Sequence, residues 1–208
     1  MKKSKPVSPR IDSEDFRGSI TAAIKEGDHA EYLQRVLEEY EWYCAEFAKA
    51  FSSNQPHDAV YTFHIVYKLK KGVTRNIEIL GTQTFEKLAR AIVKSMGWSY
   101  DHMHSFTIVG PKRKPHDSLI VQPAQLEFFA PHWEDDPYPT YKSDGIRIFQ
   151  IDYKKFTKLE FIFDFGDGHR FDIKFYGLRE RTQDDVKKKF PLLTDQRGVG
   201  PEQYPDYD

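Results

Sequence analysis

Hydrophobic spacing along the chain switches between two periods, and each switch marks an element. Phe16, Ile20, Ala23 and Ile24 follow Ser13 and an acidic first turn and stop at Gly27, which predicts a short helix. Leu33, Val36, Leu37, Tyr40, Cys44, Phe47, Ala48 and Phe51 recur every three or four residues. That stripe predicts a longer helix, opened by Asp28 and Glu31 as a capping box. From Ala59 the period becomes two: Tyr61, Phe63, Ile65, Tyr67 and Leu69 alternate with Thr62, His64, Val66, Lys68 and Lys70. This is a half-buried strand, paired across Lys71-Gly72 with a second strand over Arg75–Leu80. Thr84 caps a helix that carries Phe85, Leu88, Ile92, Val93 and Met96 on one face, with Gly97 at its exit. Met103–Val109 reads as a third strand.

Pro111–Asp144 loses its period and reads as a long surface excursion with one ordered piece near Leu126–Phe129. A strand is expected at Gly145–Ile151. Leu159, Phe161, Phe163 and Phe165 then alternate, and Phe171, Ile173 and Phe175 answer them across Gly166-Asp167-Gly168, the signature of a β-hairpin. Thr182–Leu193 reads as a short helix or turn. The end is too rich in Gly, Pro and Asp to pack regularly. The expected fold is α+β, a mostly antiparallel mixed sheet packed on one main helix. Residues 1–12 read as a basic disordered tail, 13–53 as an N-terminal helical extension and 59–208 as the α+β domain.

Composition narrows the function classes. The 208 residues carry 31 Lys+Arg against 32 Asp+Glu, so a global electrostatic case for nucleic acid is missing. A single cysteine makes neither a disulfide scaffold nor a thiolate metal cluster. No apolar run approaches the roughly 18 residues that cross a bilayer, so a cytoplasmic protein with no membrane partner is expected. Cys44 falls on a helical apolar stripe, where a buried, inert thiol is expected.

One constellation can carry chemistry: Trp98, His102, His104, Asp164, Asp167 and His169. A His-x-His pair on a strand points both rings to one face, and a carboxylate then completes an N/O site for a transition metal. His102, His104 and Asp164 are the metal candidates. The structural alternative has the aspartates bonding their own turn and the histidines packing or capping. Asp164-Phe165-Gly166 also spells a kinase motif, but no glycine-rich loop or HRD loop accompanies it, and that reading is discarded. Nucleic-acid candidates are the basic runs Lys70, Lys71, Arg75 and Lys112, Arg113, Lys114, with Tyr61 or Tyr67 as stacking platforms if exposed. Lysines at turns and edges also guard sheets against mispairing. A further basic run is Lys187-Lys188-Lys189.

From Tyr61 to Phe106, and again over Phe161–Ile173, the chain resembles the plasmid pRiA4b Orf-three-like family. The residues that carry the resemblance are Met96-Gly97-Trp98, His102, His104, Phe106 and Asp164-Phe165-Gly166-Asp167, with Gly198-Val199-Gly200-Pro201-Glu202 at the tail. His169 stands where the family has Trp, and Phe171 where it has His, so a ligand site built on those positions is altered here. The resemblance implies a compact α+β fold, occurrence on plasmids and other mobile elements, and no settled activity. The expectation is a non-catalytic interaction module with a protein or nucleic-acid partner and no cofactor. The alternatives are a metal-dependent hydrolase built on the His/Asp cluster and a nucleic-acid-binding module.

Overall fold

The computed structural model describes residues 13–27, 29–51, 54–109, 118–122 and 140–204. Two helices come first, α1 (Ser13–Glu26) and α2 (Ala30–Ala50), and they contact each other. His29, in the left-handed conformation, precedes α2 without a side-chain cap, and Asp28 of the expected capping box lies outside the described residues. Leu33, Val36 and Leu37 are half-buried. The side chains of Tyr40, Cys44, Phe47 and Ala48 lie outside those described.

The remaining elements are β1 (Ala59–Tyr67), β2 (Thr74–Leu80), α3 (Phe85–Ser95), β3 (His104–Val109), β4 (Ser118–Gln122), β5 (Thr140–Lys142), β6 (Lys158–Phe163), β7 (His169–Glu180) and β8 (Leu192–Arg197). They form one eight-stranded sheet in the order β5-β4-β3-β6-β7-β1-β2-β8. Only the β4–β5 pair is parallel. The expected α+β fold with a mostly antiparallel mixed sheet is thus present.

Strand alternation sorts the residues onto two faces. Tyr61, Phe63, Ile65 and Tyr67 of β1 point inward with Ile77 and Ile79 of β2, Leu159, Phe161 and Phe163 of β6, and Phe171 and Ile173 of β7. Against them α3 lays Phe85, Leu88, Ala89, Ile92 and Val93, all buried. Thr84 caps the helix through its side chain, which accepts from the Lys87 backbone N–H. Full burial of each large apolar side chain is worth about 1.5–3 kcal/mol, so this one-sided core dominates stability. Most outward positions of the same strands are polar, with Val66 and Ile162 half-buried among them, as in an antiparallel sheet with one solvated face.

Four expectations are corrected. The stretch read as an excursion adds β4 and β5 to the sheet edge, while Leu126–Phe129 lies outside the described residues. Gly145–Ile151 forms a single 3-10 turn at Ile148–Gln150, pinned by Ile146 and Ile148 in the core. The tail is not irregular throughout: after a 3-10 turn at Asp184–Lys187, β8 pairs antiparallel with β2. Finally, Phe165 does not continue the inward row of β6. Asp164 takes a left-handed backbone (φ 56°), ends the strand and turns Phe165 out to 40% exposure.

Candidate functional site

The six residues singled out from the sequence sit at one end of the sheet, around the β6–β7 turn, the loop before β3 and the incoming C-terminal segment. Asp164 is spent on the turn itself. Its Oδ1 accepts from the backbone N–H of Gly166 (2.9 Å) and of Asp167 (3.3 Å). Its own N–H donates to the Met103 carbonyl, and its carbonyl accepts from Gly168. An aspartate that can visit the left-handed region and cap its own turn explains the Asp-Phe-Gly-Asp-Gly string locally.

His169 starts β7 and is buried beneath Trp98, the two ring centroids 4.2 Å apart. Its Nε2–H donates to the Gln203 carbonyl (2.9 Å), which leaves Nδ1 to accept from the Tyr67 hydroxyl (3.0 Å). Trp98 donates its indole N–H to the Pro201 carbonyl (2.8 Å). Gln203 closes the grip: its amide takes the backbone N–H and carbonyl of Ser99 and reaches Asp101. The chain can run this close because Gly198 and Gly200 carry no side chain. A Cβ at either would stand 2.6 Å from a backbone oxygen, that of Gly72 or of Met96.

His104 and His102 have different fates. His104 opens β3 and is buried, with Nδ1 2.9 Å from the Tyr100 hydroxyl and Nε2 3.6 Å from Glu86 Oε2, too far for a good hydrogen bond. Burial pushes its pKa down to about 4, against the pull of the Glu86 carboxylate. The same burial, reinforced by Glu86, pushes the Tyr100 hydroxyl up. Glu86 accepts from Ser143 Oγ (3.0 Å) and from Arg90, whose guanidinium lies over the Tyr100 ring. His102 lies before the strand, 42% exposed, its Nδ1 3.0 Å from Asp101 Oδ1 and from the Tyr204 hydroxyl. Its Nε2 is 3.5 Å from Asp164 Oδ2. The Asp101 hydrogen bond holds its pKa above the ordinary histidine value, with Asp164 and Asp167 adding to the effect.

The expected common face for the two rings is therefore not formed, because β3 begins only at His104. One Nε2 faces Asp164 and the other Glu86. Among the described residues no three His, Cys, Asp or Glu side chains are placed to hold one metal ion. Of the basic candidates, Lys70 and Lys71 are exposed at the β1–β2 turn. Arg75 is buried, its guanidinium donating to the carbonyls of Thr74, Ser95, Arg197 and Gly198, so it ties β8 to β2 instead of facing solvent. Lys112, Arg113 and Lys114 lie outside the described residues. Tyr61 and Tyr67 are core residues and present no ring to a base.

Sequence reading missed Tyr67, Glu86, Tyr100, Asp101, Gln203 and Tyr204 as members of the cluster. Tyr100 and Asp101 adjoin the His-x-His pair and were within reach of inspection. Glu86 and Gln203 join only through tertiary contact and leave no local signal.

Among the described residues no helix is long and apolar enough to cross a membrane. The crystal structure of a protein of unknown function from Methanosarcina mazei Go1 is similar in fold, with a TM-score of 0.54 and 20% identity over 68% of this chain and 71% of that one. No curated protein matches this chain. The model of the plasmid pRiA4b ORF-3-like protein matches residues 59–204, from β1 through the segment that grips Trp98 and His169. Since that match spans more than half of the sequence, the chain belongs to the plasmid pRiA4b ORF-3-like family.

Proposed function

We propose that this protein is a non-catalytic binding module of a plasmid- or mobile-element-associated family, acting in the cytoplasm. One observation supports the reading above others: Asp164, His169 and His104, three residues of the apparent catalytic or metal constellation, are buried in the fold, and among the described residues no three such side chains converge on one point. Asp164 caps its turn, His169 bridges Tyr67 and the Gln203 carbonyl, and His104 is sealed under α3. A general base needs reach to a substrate proton, and a metal needs converging donors.

The test is a set of phosphodiester and peptide substrates offered to the full chain with added Mn²⁺ or Zn²⁺, together with melting in EDTA. No turnover, and melting unchanged by chelation, is the expected result. Turnover that disappears in His104→Ala would overturn the proposal in favour of a metal-dependent hydrolase.

A further inference from the structure

The outward face of the central strands carries an exposed stacked pair of rings beside a β-bulge. Between Thr62–Gly177 and Phe63–Phe175 the β1–β7 register slips, leaving Tyr176 as the extra residue of a bulge. Its ring turns outward at 57% exposure and stacks on His64, centroids 4.9 Å apart and planes within 9°. His64 is held in turn by Asn76, Nδ1 to Oδ1 2.7 Å. A flat two-ring stack is thus fixed on the open side of the sheet.

Charge gathers beside it. Lys174 lies opposite His64 on β7, and Lys158 lies opposite Lys174 on β6. Like charges placed directly across a sheet cost stability, and among the described residues neither lysine has an ion-pair partner. Arg170 is exposed two pairs further along β7. Asp172 between them is neutralised by Lys68 at 3.2 Å, and Glu160 is the other carboxylate here. On β6 and β7 three cations, Lys158, Lys174 and Arg170, stand against Glu160 and the Lys68-paired Asp172, which makes this half of the face basic on a chain whose net charge is −1. On the β2 side Glu78 is paired with Arg179, and Asp195 of β8 lies opposite Asn76.

We propose that this open face binds single-stranded nucleic acid, the Tyr176–His64 pair stacking a base while Lys158, Lys174 and Arg170 contact phosphates. Neighbouring strands lie about 4.8 Å apart, so the two lysines stand within roughly 10 Å of the stack. An exposed ring beside unpaired cations suits a base and its phosphates, because every base offers a π-face and the backbone is anionic. The inference rests on the binding-module reading and adds to it a surface and a ligand class. It uses none of Tyr61, Tyr67 or Arg75.

Fluorescence anisotropy with labelled oligothymidylate and oligouridylate tests it on the full chain across a salt series. Binding that weakens as salt rises is expected. Tyr176→Ala should lower affinity by about five-fold to a hundred-fold, while Tyr176→Phe retains it. Replacing Lys158 and Lys174 together by Ala should flatten the log–log salt slope by about 0.7 per lysine. Absent binding, an unchanged affinity in Tyr176→Ala or an unchanged slope in the lysine variant overturns the inference. A gel of the recovered oligonucleotide separates the two readings. Intact strand without binding defeats the surface alone, whereas cleaved strand defeats the non-catalytic reading alone.

Discussion

The two faces of the central strands carry the same residue types to opposite ends. On the inner face Arg75, His104 and His169 are buried, and neighbouring elements meet most of their nitrogens: carbonyls for Arg75, the Tyr67 hydroxyl and the Gln203 carbonyl for His169, and the Tyr100 hydroxyl for His104 Nδ1, whose Nε2 has no hydrogen bond. On the outer face His64, Lys158 and Lys174 meet solvent, and among the described residues the two lysines meet no counter-ion. The contrast shows that a histidine or arginine in a motif says little about function until its exposure is known. A polar group buried during folding must be bonded in place, and that requirement alone can account for the motif.

The comparison breaks first where the inner face is weakened. Phe63 is fully buried, against Tyr153 and Phe175, and Phe63→Ala is expected to cost about 3–5 kcal/mol, read as a lowered denaturant midpoint with an unchanged slope. A loss below about 1 kcal/mol would mean that the aromatic core is not close-packed there.

Acid probes the inner face more gently. His104 is neutral in the fold with a pKa of about 4, while the unfolded chain protonates near 6.5. Between those values the unfolded state takes up a proton that the folded state refuses. Stability is therefore full above about pH 6.5 and falls as pH drops toward 4, by up to about 3 kcal/mol from this residue. Chemical denaturation at stepped pH should show that fall, and it should shrink in His104→Gln. An equal fall in both proteins would assign it to other groups.

The smallest effect belongs to the outer face. Lys158→Ala should change stability by less than about 0.5 kcal/mol, leaning toward stabilisation because it removes a like-charge pair. A loss above 1 kcal/mol would show that the face is built for the fold and not for a partner.

How far these faces could be read from the sequence depends on range. Alternation placed Tyr61, Phe63, Phe161, Phe171 and Ile173 inward, and the Thr84 cap and the glycine-bearing turn located α3 and the β6–β7 hairpin. These signals are local, and local periodicity reports burial directly. Phe165 defied the alternation because one left-handed residue, Asp164, ended the strand before it. β8 shows no strand pattern because an edge strand needs little apolar alternation of its own: it has one half-buried residue followed by five exposed ones. The candidate cluster was found as a neighbourhood but not as an arrangement. Trp98, His102, Asp164 and His169 do lie close together, yet what sets their roles is Gln203 and Tyr204, some hundred positions after Trp98. The bulge at Tyr176 is a property of paired strands and has no expression in one strand's pattern.

The strand order has a consequence for how the chain is made. β2 lies between β1, its predecessor in the chain, and β8, the last strand of the sheet to be synthesised. Until residues 192–197 leave the ribosome, β2 has only one neighbour, and Arg75 lacks two of its four carbonyl acceptors. The nascent domain therefore carries an open sheet edge and an unsatisfied guanidinium through most of its synthesis. Closure waits for residues 192–198, so a chain cut short near residue 190 would be left with an aggregation-prone edge on β2.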